Sequence, residues 1–150
     1  MDCYCREPSV LLTRNASETY AFDGRSGQAL WHELIGGWPM MLCGEQFLTQ
    51  QGQPFDVRTG KRLGPALSFT KGGCNYAVAN PYLLLFRDQS ASYIERVTGQ
   101  KQDLYAVRSG CSNSLIAADG LLNVPNFAVG CVCNYPLQTS FALVPRAAQD

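Results

Sequence analysis

Three short triplets at near-constant spacing constrain this chain more than any other feature: Gly36-Gly37-Trp38, Gly72-Gly73-Cys74 and Ser109-Gly110-Cys111. Their middle glycines stand 36 and then 37 residues apart. A steady period of this size is the mark of radial or solenoid repetition, in which one supersecondary unit recurs and stacks on its neighbour. A second element recurs inside each period. Tyr20-Ala-Phe-Asp-Gly-Arg-Ser-Gly-Gln-Ala-Leu-Trp31, Pro54-Phe-Asp-Val-Arg-Thr-Gly60 and Ser92-Tyr-Ile-Glu-Arg-Val-Thr-Gly99 each join an apolar extended run to a polar turn ending in Ser-Gly or Thr-Gly. Gly27, Gly60 and Gly99 therefore close hairpins whose loop needs one residue at positive φ, which glycine supplies without a Cβ clash.

Between the markers, short apolar runs alternate with turn residues. The third unit offers strands at Tyr76–Ala79, Tyr82–Phe86, Ser92–Val97 and Leu104–Arg108, separated by Asn80-Pro81, Asp88-Gln89-Ser90 and Thr98-Gly99. The second offers Pro39–Cys43, Gln46–Thr49, Pro54–Val57 and Leu67–Thr70. Runs of this length bounded by Gly, Pro, Asn and Asp read as an antiparallel meander. Ser9–Arg14 and Gln28–Leu34 belong to the first unit, and Leu115–Ala117, Leu121–Val124 and Phe141–Val144 to the fourth. No sustained helical period occurs, and Gly or Pro interrupts almost every dozen residues. The expected fold is all-β: β-propeller blades, four-stranded antiparallel repeats of about 37 residues with boundaries near Gly37, Gly73 and Gly110. Residues 1–150 form a single domain of this type or a fragment of one, because roughly four units make either a minimal closed ring or the C-terminal part of a larger one.

The first of the repeated stretches, Tyr20 to Trp31, resembles the repeat of quinoprotein-type (pyrroloquinoline-quinone-like) β-propellers. Arg108-Ser-Gly-Cys111, Ala118-Asp-Gly-Leu-Leu122, Pro125, Cys131-Val-Cys133, Asn134-Tyr135 and Phe141-Ala-Leu-Val-Pro145 are similar to the C-terminal end of large bacterial propeller proteins. The resemblance implies that Trp31 wedges between neighbouring blades, with Gly27, Gly60 and Gly99 as its companions in blade packing. It spans dehydrogenases, assembly scaffolds and proteins of no assigned activity, so it speaks to fold rather than chemistry. A functional quinoprotein would need pyrroloquinoline quinone and calcium at the ring axis, and many alcohol dehydrogenases of the class add a disulfide between adjacent cysteines. No adjacent cysteine pair is present. No catalytic residue carries over by motif.

Charge and composition remove several classes of function. Twelve basic residues balance twelve acidic ones and lie scattered along the chain, so no basic stripe exists to neutralise phosphates, and nucleic acid is not an expected partner. The longest apolar runs are four or five residues, too short for a transmembrane helix. His32 is the sole histidine. It alternates with Trp31 along the strand and is expected at the surface. Asp23, Asp56, Asp88 and Asp119 sit at turns, where Asx hydrogen bonding accounts for them. No metal site, cofactor site or catalytic motif is expected, and an enzyme is the less favoured reading. The preferred reading is a non-catalytic binding or scaffolding module whose partners are other blades or other proteins. The alternative is a fragment of a quinone-dependent oxidoreductase with its cofactor site on blades outside this chain.

The seven cysteines include two Cys-X-Cys pairs, Cys3/Cys5 and Cys131/Cys133. That usage points to an oxidising compartment, periplasmic or extracellular, although Met1-Asp-Cys-Tyr-Cys-Arg-Glu7 has no signal-peptide character and taken literally implies the cytoplasm. Thiols at i and i+2 of an extended chain lie about 6.6 Å apart at Cα, near the outer limit for bridging each other. Cys74, Cys111, Cys131 and Cys133 are the disulfide candidates, whereas Cys43 lies in the most apolar strand and is expected in the core. Under oxidising conditions we expect Cys111 to join Cys131 or Cys133, with the other member reaching Cys74 and Cys43 left out of any bridge. A loop of some 20 residues closed in this way stabilises by about 3 kcal/mol. Non-reducing peptide mapping checks the pairing, and a bridge containing Cys43 would refute it.

Overall fold

The computed structural model describes residues 10–15, 17–111, 113–126 and 139–145, and all its regular structure is β. Two compact units divide the chain, Met1–Ser68 and Phe69–Asp150. The first unit holds two three-stranded meanders: β1 (Val10–Asn15), β2 (Glu18–Asp23) and β3 (Ala29–Glu33), then β4 (Met41–Cys43), β5 (Gln46–Leu48) and β6 (Pro54–Asp56). The second unit holds a four-stranded sheet of β7 (Val78–Ala79), β8 (Leu83–Asp88), β9 (Ser90–Glu95) and β10 (Lys101–Leu104). It also holds a three-stranded one of β11 (Ile116–Ala118), β12 (Leu121–Val124) and β13 (Phe141–Leu143). Every paired strand is antiparallel to its neighbour in sequence, so the architecture is a series of antiparallel sheets resembling propeller blades.

The recurring hairpin is built the same way three times. Gly27, Gly60 and Gly99 have φ of 71°, 67° and 74°. Their N–H groups donate to the carbonyls of Asp23, Asp56 and Glu95 at 2.8, 2.9 and 2.8 Å. In the first two turns the carboxylate closes the loop. Asp23 Oδ1 accepts from the N–H groups of Arg25 and Ser26 and from Ser26 Oγ, and Asp56 Oδ1 accepts from Arg58 N–H, Thr59 N–H and Thr59 Oγ1. These bonds favour the ionised form, and both carboxyls titrate below their ordinary value of 3.8. The third turn carries Glu95, whose Oε2 accepts from Thr98 Oγ1 at 3.0 Å.

The marker glycines do a different job. Gly37 O accepts from Gln50 N, Gly72 N donates to Arg87 O, and Gly110 N donates to Pro125 O, at 2.8, 2.8 and 2.9 Å. Each bond ties the entry of a sheet to the far end of its second strand, extending the pairing begun by the first. A Cβ at Gly37 would stand 2.9 Å from Thr49 Cβ, and one at Gly73 would stand 2.8 Å from Arg87 Cδ. Gly37 and Gly73 are therefore glycine because the backbone there passes directly against the chain at the end of that second strand.

Sheet stacks on sheet in the first unit through aromatic rings. Trp31 packs parallel to Phe47 at 6.0 Å, and Phe47 packs on Phe55 at 5.2 Å. The Trp31 indole N–H donates to Val57 O at 3.0 Å, and its ring lies over Gly60. Ile35, Phe47 and Val57 form the buried centre, with Val10, Leu12, Met40 and Phe55 around them. Offset ring pairs of this kind add about 0.5–1.5 kcal/mol beyond area burial. His32 is exposed, and its ring stacks at 5.6 Å on Tyr20, its partner across the strands.

The structure corrects three strand assignments. Leu67–Thr70 is not a strand; Leu67 N–H makes a single bond to Gly52 O, and the second sheet keeps three strands. The fourth strand of the third sheet is Lys101–Leu104 rather than Leu104–Arg108, because the turn at Gly99 starts pairing at Lys101 and Ala106, at φ 62°, turns the chain away. The third strand of that sheet begins at Ser90 and ends at Glu95, handing Arg96 and Val97 to the turn.

The two hairpin glycines of the first unit should respond unequally to a methyl group. At Gly27, among the described residues, no atom beyond its chain neighbours lies within 4 Å of the place a Cβ would take, whereas at Gly60 the Trp31 ring lies 2.8 Å from it. Gly27→Ala should cost about 1–2 kcal/mol, the left-handed backbone penalty alone. Gly60→Ala should add about 1–3 kcal/mol of overpacking. Urea unfolding followed by tryptophan fluorescence reads both, since Trp31 and Trp38 are the chain's only tryptophans and lie in this unit.

A second expectation concerns acid. Carboxyls whose folded value is lowered contribute stability that is fully present above their unfolded value and is lost as pH falls through the folded one. The urea midpoint should therefore drop below about pH 4, and Asp56→Asn, which keeps the acceptor but not the charge, should flatten part of that drop.

Candidate functional site

In the second unit the sheets of β7–β10 and β11–β13 face each other. Cross-strand pairing puts Leu85 with Tyr93 and Leu104 with Ala91 on one face, and Ala117 with Leu122 and Leu143 on the other. Leu85, Ala91, Leu115 and Val124 form a closed core where the two sheets meet. Beyond it the sheets part into a cleft of about 520 Å³, walled by Leu83, Tyr93, Leu104, Ala117, Leu122 and Leu143. Pockets that take ligands commonly measure about 300–1,000 Å³ and carry a few polar groups on apolar walls.

Repeat geometry accounts for the gap. Ala21 and Tyr93 both stand six residues before their hairpin glycines, Gly27 and Gly99. Ala21 pairs across the strands with Trp31, where a bulge between Ala21 and Phe22 shifts the register by one residue, but Tyr93, in an unshifted ladder, pairs with Gln102. Where the first sheet sends an indole into its neighbour, the third offers an exposed amide. Nothing of tryptophan's volume fills the space, and Tyr93 lines it instead.

Two turns form the lips. Asn80 Oδ1 accepts from Tyr82 N–H and Leu83 N–H at 2.8 and 2.7 Å, fixing the bend into β8. Opposite, Ala118 pairs with Leu121 across a two-residue turn whose Asp119 and Gly120 both have positive φ, 51° and 74°. Asp-Gly is a preferred sequence for this turn. Tyr93 Oη, Asn80 Nδ2 and the Asp119 carboxylate have no hydrogen-bond or ionic partner among the described residues. Asp119 is the sole charged residue among those lining the cleft.

The residues singled out in the sequence lie elsewhere. Trp31 is half-buried against the second sheet and touches Gly60. Gly27 and Gly99 meet no atom at the Cβ position among the described residues, so their requirement is φ and not packing. Cys43 is buried and its thiol donates to Met41 O at 3.4 Å. Cys74 is exposed, and Cys111 is half-buried with Sγ 3.8 Å from Arg87 Nη1. Cys131 and Cys133 lie outside the described residues.

Sequence reasoning missed a buried polar cluster. Arg87 and Arg108 are 2% and 1% exposed. Asn75 Nδ2 donates to Ser109 Oγ at 2.8 Å and to Asn113 O at 3.0 Å, tying the loop after one marker to the loop around the next. No residue pattern marks it, because the close approach of Gly73 to the Arg87 stem exists only in the fold. Among the described residues no three His, Cys, Asp or Glu side chains group as metal ligands, and Asp23 and Asp56 are engaged by their own turns.

No family model matches the chain, and no curated protein matches it. Among solved structures it is similar to BamB from Moraxella catarrhalis, at 20% sequence identity and a TM-score of 0.49. The likeness covers 76% of this chain and 38% of that one, so the chain spans well under half of that protein's length. No helix among the described residues is long and apolar enough to cross a membrane.

The cleft wall and the core beneath it should separate on mutation. Tyr93→Phe removes a hydroxyl with no partner among the described residues and should leave stability within about 0.5 kcal/mol. Leu85→Ala, at 2% exposure, should cost about 2–5 kcal/mol. Chemical unfolding followed by far-UV circular dichroism compares the two.

Proposed function

We propose that this chain is a protein-binding module made of propeller-type blades, non-catalytic, and that it contacts its partner through the cleft between β7–β10 and β11–β13. The observation that carries the reading is the cleft itself: an apolar wall continuous with a closed core, edged by polar groups left over from the local turns. Solvent-exposed apolar groups border it, with Val144 71% and Leu121 36% exposed. Tyr82, on the turn beside Asn80, is 73% exposed. Exposed apolar groups gathered round a concavity mark interaction sites, because scattered ones carry no such gain on burial. Seven cysteines in 150 residues support a periplasmic or extracellular setting, as read from the sequence.

A photo-reactive benzoylphenylalanine placed at Leu121 tests the reading in cells. It should yield a discrete cross-linked adduct that Leu122→Arg removes. The same group at Thr59, on an exposed turn of the other unit, should give none. Equal labelling from both positions would defeat the assignment of the cleft.

A further inference from the structure

We propose that the cleft takes an extended peptide segment in which an aliphatic side chain and a lysine or arginine stand two residues apart, on one face of the strand; this rests on the binding-module reading above. The walls ask for an apolar body, since Leu83, Leu104, Ala117, Leu122 and Leu143 present only carbon to the space. The lips ask for two further things. Tyr93 Oη and Asn80 Nδ2 are donors without partners among the described residues, and a peptide carbonyl answers a donor. Asp119 supplies the one charge in the lining, it is negative, and no cation among the described residues pairs with it. An ammonium or guanidinium two residues from an aliphatic side chain lies on the same face of the extended segment and meets the carboxylate while the aliphatic group enters the cleft.

Charge complementarity selects the occupant. A carboxylate at the rim of an apolar site steers and orders a cationic partner and penalises an anionic one. An aliphatic segment flanked by acidic residues would bring like charges together at Asp119, and a purely polar segment would leave the walls wet. The required features, apolar side chain, backbone acceptor and a cation on the same face, all lie within three consecutive residues of one extended chain, as Lys-Leu-Leu and Leu-Leu-Lys supply.

The test is a titration of the isotope-labelled chain, followed by amide chemical shifts, with three hexapeptides: Gly-Lys-Leu-Leu-Lys-Gly, Gly-Glu-Leu-Leu-Glu-Gly and Gly-Lys-Ser-Ser-Lys-Gly. The first should move the amides of Leu83, Tyr93, Ala117 and Leu122, and bind about tenfold more tightly than the second at low salt. Asp119→Asn should bring the first and second together, since asparagine holds the same left-handed turn without charge. The serine peptide should leave the cleft amides unmoved. Equal binding of both leucine peptides at the cleft overturns the basic flank and leaves the binding cleft standing. No response of the cleft amides to either leucine peptide overturns both. Cleft shifts that depend on protein concentration alone would assign the site to a second copy of this chain and overturn the peptide.

Discussion

A three- or four-stranded antiparallel sheet with one apolar face has no interior of its own, and the whole molecule is arranged around that deficit. The face must be covered by the next sheet, and the joint is made where a large ring can lie flat on bare backbone. Trp31 over Gly60 is that joint in the first unit, with the indole N–H anchored on Val57 O and the ring face on Phe47. The turn that closes β6 thus has two duties. Its glycine holds φ at 67°, and its lack of a Cβ leaves room for a neighbour's side chain. The aspartate cap of that turn, Asp56, serves the packing indirectly by fixing where Gly60 stands.

The second unit solves the same problem with aliphatic side chains and does so incompletely. Leu85, Ala91, Leu115 and Val124 seal one end of the interface. At the other, the position equivalent to Trp31 is Gln102, and the sheets are not bridged. The cleft is therefore what remains where a repeat lacks its wedge. That view links a concavity about 520 Å³ in size to two differences between repeats, the missing indole and the bulge between Ala21 and Phe22 that the β9–β10 pairing lacks, without any change in strand order.

Much of this architecture is legible from residue types alone, and the reason is local chemistry. The three hairpins can be read because Ser-Gly or Thr-Gly after a short acidic turn leaves the backbone few choices. The markers at Gly37, Gly73 and Gly110 can be read because their spacing counts residues along a meander. Composition without a turn to anchor it misleads. Leu67–Thr70 has β-forming residues but no partner strand, and Leu104–Arg108 overshoots the true strand because the pairing is counted from Gly99 and not from the apolar residues. The site is illegible for another reason. Asn80, Tyr93, Asp119 and Leu143 come from four separate strands or turns, and nothing in their local sequence says that they line one space. The burial of Arg87 is equally hidden, since an arginine near an Asp-Gln-Ser turn reads as solvated.

The acidic residues at turns illustrate how a shared residue type divides between structure and recognition. At Asp23 and Asp56 the turn is completed by the carboxylate, which takes two backbone N–H groups and a hydroxyl each. Those oxygens are committed to folding. At Asp119 the turn is completed by backbone pairing of Ala118 with Leu121, and aspartate is used for its tolerance of positive φ. The side chain is then surplus to the fold. A carboxylate held at the rim of an apolar cleft, on a rigid two-residue turn and without a cation among the described residues, keeps its full capacity for an external one.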